Sequence, residues 1–120
     1  MTSKERRRAF KLWMTLQRKA DGTAYSCNTI DTYVSVLATA PAKLKSSLLL
    51  TRDVFSLSDP FIYREERLKM EAAENFSSVN RDTGNQALQH VLALYDTFLC
   101  ETEMQSSGTI PNQTFYAWTG

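Results

Sequence analysis

Glycine and proline are scarce in this sequence, four and three residues in 120. That scarcity argues against a disordered chain, a collagen-like repeat and a many-turned β-sandwich, all of which need more turn formers. No apolar run approaches the roughly 20 residues that span a bilayer. The opening MTSKERRRAF is charged and is followed by no apolar stretch of signal-peptide length, so a cytoplasmic location is expected. Cysteine is limited to Cys27 and Cys100, with no Cys or His at metal-ligand spacing, and both are expected to be small buried apolar residues. There is one histidine, His90, set between apolar positions of a helical segment with no nucleophile in view, and it reads as a surface or boundary residue. The glycines, at 22, 84, 108 and 120, are isolated, which leaves no phosphate loop and no Gly-x-Ser-x-Gly nucleophile turn. The acidic groups Glu65–Glu66 and Glu71/Glu74 follow the solvent face of a helix in this reading, so no metal site and no cofactor are expected. With no catalytic constellation, the function left to the chain is binding.

What is present is charge, unevenly placed. Residues 1–52 hold ten Lys or Arg against three acids, a balance of +7, and residues 53–120 hold four against ten, a balance of −6, which together give the net +1. Such asymmetry points to an anionic partner for the basic half. The plainer alternative is that the two halves pack together and partly cancel.

The apolar periodicity is helical. Thr2 and Glu5 have capping-box spacing and open a helix over about 3–20, with Ala9, Phe10, Leu12, Trp13, Leu16 and Ala20 on one arc and Asp21-Gly22 as its stop. Arg6 breaks that arc and is expected to escape to solvent from the first turn. Ser26 or Asn28 caps a second helix through Ile30, Tyr33, Val34 and Leu37, stopped by Pro41. Pro41 then opens a short helix over 42–49 with Leu44 and Leu48 inward. Thr51–Ser58 reads as an extended segment or a single helical turn. Asp59-Pro60 starts a helix to about Phe76 that buries Phe61, Leu68, Ala72 and Phe76. After the polar turn 80–85, where Thr83 and Gln86 repeat the capping-box spacing, a helix over about 85–103 carries Leu88, Val91, Leu92, Tyr95 and Leu99, with Ala87, Leu94 and Phe98 beside them. So much apolar circumference predicts a central helix. The tail from 105 to 120 is polar and then aromatic, at Phe115, Tyr116 and Trp118.

The basic side chains give the functional signal. Lys4, Arg7, Lys11 and Arg18 fall within about 60° on the outer side of the first helix, with Arg8 and Lys19 at the margins. Cations so placed neutralise nucleic-acid phosphates without reading sequence. Ser26, Asn28 and Thr29 stand at the start of the second helix, where hydroxyls and backbone N–H groups can grip a phosphate. Lys43 and Lys45 belong to the same half. The competing reading is an ordinary solvated helix face.

Two segments carry a resemblance. Residues 10–37, with Ser26, Thr29, Ile30 and Tyr33 as Ser-x-x-Thr-Ile-x-x-Tyr, resemble the SAM-like helical core-binding domains of tyrosine recombinases. Residues 55–99 are similar to helical modules that precede HNH-type nuclease domains in bacterial restriction-like proteins. There Asp59-Pro60 is the entry, Asn80 and Gly84 mark the last loop, and Ala87, Leu88, Phe98 and Leu99 lie in the closing helix. The resemblance implies an all-α, SAM-like bundle of four to five helices over residues 1–104, followed by a tail or linker at 105–120. It implies a non-catalytic DNA-binding or adaptor module, associated with a downstream catalytic domain or a protein partner; the short apolar runs already lead to no membrane partner being expected. The alternative is a protein–protein or self-association module, including a homo-oligomer.

Overall fold

The computed structural model describes residues 1–107, with side chains through Thr102. The chain is an all-α bundle: α1 (Ser3–Thr15), α2 (Cys27–Lys43), a 3-10 turn (Val54–Ser56), α3 (Pro60–Glu71), α4 (Phe76–Asp82) and α5 (Ala87–Ser107). The aromatic tail 115–118 lies outside the described residues.

Three of the helix starts are written in side chains. Thr2 Oγ1 accepts from Glu5 N at 3.1 Å while Glu5 Oε1 accepts from Thr2 N at 2.7 Å, a complete capping box. Those bonds to Thr2 hold the Glu5 carboxyl below the usual carboxylate range. Ser26 Oγ accepts from Thr29 N at 3.1 Å to start α2, and Asp59 accepts from Phe61 N at 2.8 Å with Pro60 at the first helical position of α3.

The core is built on α5, which packs against each of the other four helices. Leu88, Val91, Leu92, Tyr95, Phe98 and Leu99 are all buried. Phe10 from α1 is the hub of an aromatic cluster. Its ring centroid lies 5.8 Å from Trp13, 5.4 Å from Tyr95, 5.3 Å from Phe98 and 6.0 Å from Phe55. The edge-on arrangement against Tyr95 and Phe98 suits the ring quadrupoles. The buried phenols are anchored as well: Tyr63 donates to the Leu92 carbonyl at 2.6 Å and Tyr95 to that of Leu57 at 2.9 Å. Burial pushes the Tyr63 hydroxyl well above its ordinary range.

Several expectations are corrected. α1 ends at Thr15, so Leu16 and Ala20 leave the helical arc and are exposed, and Leu12, within α1, is exposed as well. The last carbonyls of α1 are met locally, by Thr15 Oγ1 on Leu12 O and Gln17 Nε2 on Trp13 O. Asp21-Gly22 instead forms the tip of a small hairpin closed by an Arg18–Ala24 bridge, with Gly22 at φ 87°. An Asp-Gly pair signals a hairpin turn as well as a helix stop. Arg6 is buried, its Nη1 donating to Phe55 O at 2.6 Å and so tying the 3-10 turn to α1.

Pro41 sits inside α2, which continues to Lys43; so close to the end, its missing N–H removes a single bond. No helix follows over 42–49. The side chain of Asn75 clamps that segment, accepting from Lys45 N at 2.8 Å and donating to Lys43 O at 2.9 Å, and Leu48 is exposed. α3 presents the opposite face from the one expected. Tyr63, Glu66 and Met70 point inward, whereas Phe61 and Leu68 are 69% and 67% exposed. A separate short helix, α4, takes in Asn80, Arg81 and Asp82, so the polar turn expected over 80–85 begins only at Thr83. Thr83 Oγ1 accepts from Leu88 N at 3.2 Å, but Gln86 completes no box, because both Asn85 and Gln86 have left-handed backbone, φ 51° and 56°. Cys27 is exposed, not buried, and Cys100 is half-buried; both are free thiols.

Candidate functional site

The outer face of α1 brings four of the sequence-derived cations together. Lys4, Arg7, Arg8 and Lys11 sit at i, i+3, i+4 and i+7, all exposed, and with Asp31 and Val34 of α2 they line an open groove of about 480 Å³. The stripe is about 10 Å long at 1.5 Å per residue. Arg7 is steadied from below, its guanidinium lying 5.9 Å from the centroid of the Phe55 ring. Lys11 is partly engaged, its Nζ 2.8 Å from Asp31 Oδ1. Among the described residues Lys4, Arg7 and Arg8 have no carboxylate in ion-pair contact. Arg52, from the segment expected to be extended or a single helical turn, joins this region: with Lys4 and Arg7 it lines an adjoining depression that also includes Asp53. It also donates to the Pro41 carbonyl. Nothing in the local sequence around Arg52 marks it; only the fold brings it to α1.

The other sequence-derived residues do not converge on that face. Arg18 left the helical stripe when α1 stopped at Thr15, and its guanidinium donates to Gln17 O at 2.9 Å in the hairpin. Lys19 is exposed on the same hairpin, with its ammonium 5.9 Å over the Tyr25 ring. The Ser26 hydroxyl is committed to the α2 cap, accepting from Thr29 N and donating to Thr29 Oγ1 at 2.9 Å. Asn28 is exposed beside Thr83 and Gly84. Thr29 opens on the other side of α2, roughly 160° around the helix from Asp31 at 100° per residue. Lys43 and Lys45 are exposed at the far end of α2, where the backbone is held by Asn75.

Charge does not cancel between the halves through the ion pairs described. Lys11 pairs with Asp31 inside the first half. Arg64 and Arg67 pair with Asp96, Arg67 also with Glu71, and Lys69 and Arg81 with Glu66 and Asp82, all inside the second. The cations of α3 are thus largely occupied, whereas Lys4, Arg7 and Arg8 of α1 are in no ion pair among the described residues.

A second concavity joins residues that share no sequence spacing. An open cleft of about 700 Å³ lies between the 16–25 hairpin, α2, α5 and Arg67 of α3. Tyr25 and Tyr33 are half-buried in its wall, ring centroids 5.9 Å apart, and partial burial raises the Tyr33 phenol above its ordinary range. His90 is exposed on the same cleft. Among the described residues no group of three or more His, Cys, Asp or Glu is placed to hold a metal, and no helix is long and apolar enough to cross a membrane. Comparison with protein-family models, with curated proteins and with solved structures gave no match.

Proposed function

We propose that the chain is a non-catalytic nucleic-acid-binding module, of the SAM-like DNA-facing kind, and that it meets the phosphate backbone of DNA with the exposed face of α1. The observation that carries this reading is the stripe Lys4, Arg7, Arg8 and Lys11 on one groove, three of the four without a carboxylate partner among the described residues. A 10 Å length of duplex presents about six phosphate charges, so the stripe matches the density of the target. Cations on one helix face position a protein on DNA without specifying sequence.

Replacing Lys4, Arg7 and Arg8 together by Ala is expected to weaken binding to a duplex roughly tenfold or more. The same change at Lys43 and Lys45 is expected to cost less than about threefold, since they lie off the stripe. Fluorescence anisotropy with a labelled duplex measures both, and circular dichroism checks that the exposed substitutions leave the helices intact. Equal losses in the two variants, or no loss in either, would remove the α1 assignment.

A second reading, a protein–protein module, is favoured by one observation: α3 exposes three large apolar side chains, Phe61, Ile62 and Leu68. Exposed apolar surface beyond scattered single residues marks interaction sites. Under this reading, duplex affinity is absent from the wild-type chain in the same anisotropy experiment.

A further inference from the structure

We infer that the cleft on the far side of α2 is a second binding site, for a planar aromatic ring that carries an anionic group, the chemistry of a nucleotide. Its volume of about 700 Å³ falls in the range of small-molecule sites, and its lining has the usual make-up, apolar walls with a few polar groups. The wall supplies two tyrosine rings, Tyr25 and Tyr33, tilted 56° to one another. Offset and edge-on contacts between aromatic rings are favourable, and base-to-aromatic stacking is tolerant of which base is bound.

The charge of the lining selects an anion. Lys19 and Arg67 both line the cleft, and no Asp or Glu does. Lys19 is exposed and rests on the Tyr25 ring through a cation–π contact, so its long side chain can turn to a ligand anion while the ring accepts the ligand's face. Arg67 is less free: Glu71 Oε2 at 3.2 Å and Asp96 Oδ2 at 3.7 Å hold its guanidinium in place. With Nε taken by Glu71, it contributes only its remaining N–H groups, and Lys19 contributes most of the uncompensated charge. Asp21, close enough for Lys19 to influence its carboxyl, is itself bound by Thr23 and lies outside the lining. His90 and Gln89 from α5 complete the polar rim.

One end of the cleft is formed by Asn85, in an unusual backbone run. Gly84, Asn85 and Gln86 all have positive φ, at 84°, 51° and 56°. Left-handed backbone at two successive non-glycine residues is uncommon, and such strain clusters at ligand-binding places. The cleft shares only Lys19 and Thr29 with the sequence-derived set and none of the α1 stripe, so it stands or falls separately from the reading above.

The test uses the full chain and two-dimensional NMR, with four probes: adenosine monophosphate, adenosine, inorganic phosphate and a single-stranded oligodeoxyadenylate. The expected result is saturable shifts at Tyr25, Tyr33, Gln89 and His90 with a probe that carries both ring and phosphate. Adenosine alone and phosphate alone are expected to bind at least about tenfold more weakly. A tighter fit for the monophosphate identifies a free nucleotide as the ligand; a tighter fit for the oligomer identifies an unpaired nucleotide of a strand. Lys19→Ala, at an exposed position, and Tyr25→Leu, which keeps apolar volume, are each expected to weaken that binding several-fold while the α1 resonances stay in place. The proposal is overturned if no probe shifts the cleft resonances at low-millimolar concentration, if shifts appear only along α1, or if both variants bind as the wild type does.

Discussion

Phe10→Ala is expected to cost about 3–5 kcal/mol of folding stability, the range for deleting a fully buried aromatic side chain. The ring is inaccessible to solvent and touches Trp13, Phe55, Tyr95 and Phe98, which come from α1, the 3-10 turn and α5. Collapse into the resulting cavity is opposed by two neighbouring rings that are themselves anchored: Tyr95 by its bond to Leu57 O, Trp13 by a 2.9 Å bond from its Nε1 to Glu101. For a domain with roughly 5–15 kcal/mol in total, that loss is a large fraction of stability. Urea denaturation reads it directly. A loss below about 1 kcal/mol would mean that the aromatic cluster is not the core's centre.

Glu66→Ala is expected to cost about 2–3 kcal/mol, and Glu66→Gln appreciably less. Glu66 is 1% exposed on the buried face of α3. Its Oε2 accepts from Thr51 N at 3.0 Å, and Oε1 lies 3.8 Å from Lys69 Nζ with no hydrogen bond among the described residues. Alanine removes the acceptor and strands the Thr51 N–H, while glutamine keeps an acceptor and removes an incompletely satisfied charge. Hydrogen exchange at Thr51 separates the two, with fast exchange in the alanine variant and protection kept in the glutamine variant. Equal destabilisation by both would assign the role to charge rather than to the hydrogen bond.

Glu66 also explains why α3 was misread. An apolar stripe through Phe61, Leu68 and Ala72 is a better periodic match than a face of Tyr63, Glu66 and Met70, and no local rule places a carboxylate inward. The reason lies in the segment before α3, whose Thr51 amide needs an acceptor. By contrast, α2 and α5 were legible, because Ile30, Val34 and Leu37 in one, and Leu88 to Leu99 in the other, have no polar rival on the buried face. Capping was legible at Thr2, Ser26 and Asp59 because it is a local contact.

The candidate sites divide along the same line. The α1 stripe follows from helical spacing alone, and it lost Arg18 only because the Asp21-Gly22 turn belongs to a hairpin. The tyrosine cleft joins Lys19, Tyr25, Tyr33, Arg67 and His90, residues from four segments with no common spacing. Packing alone makes it, so the sequence held no signal for it.

The most direct test is the salt dependence of duplex binding, compared between the wild-type chain and a variant with Lys4, Arg7, Arg8 and Lys11 all changed to Gln. If the four side chains meet phosphates, log affinity against log salt falls with a slope of about −3 to −4 in the wild type, near 0.9 per neutralised phosphate, and close to zero in the variant. A wild-type affinity that does not change with salt, or a slope that survives the four substitutions, would contradict the account.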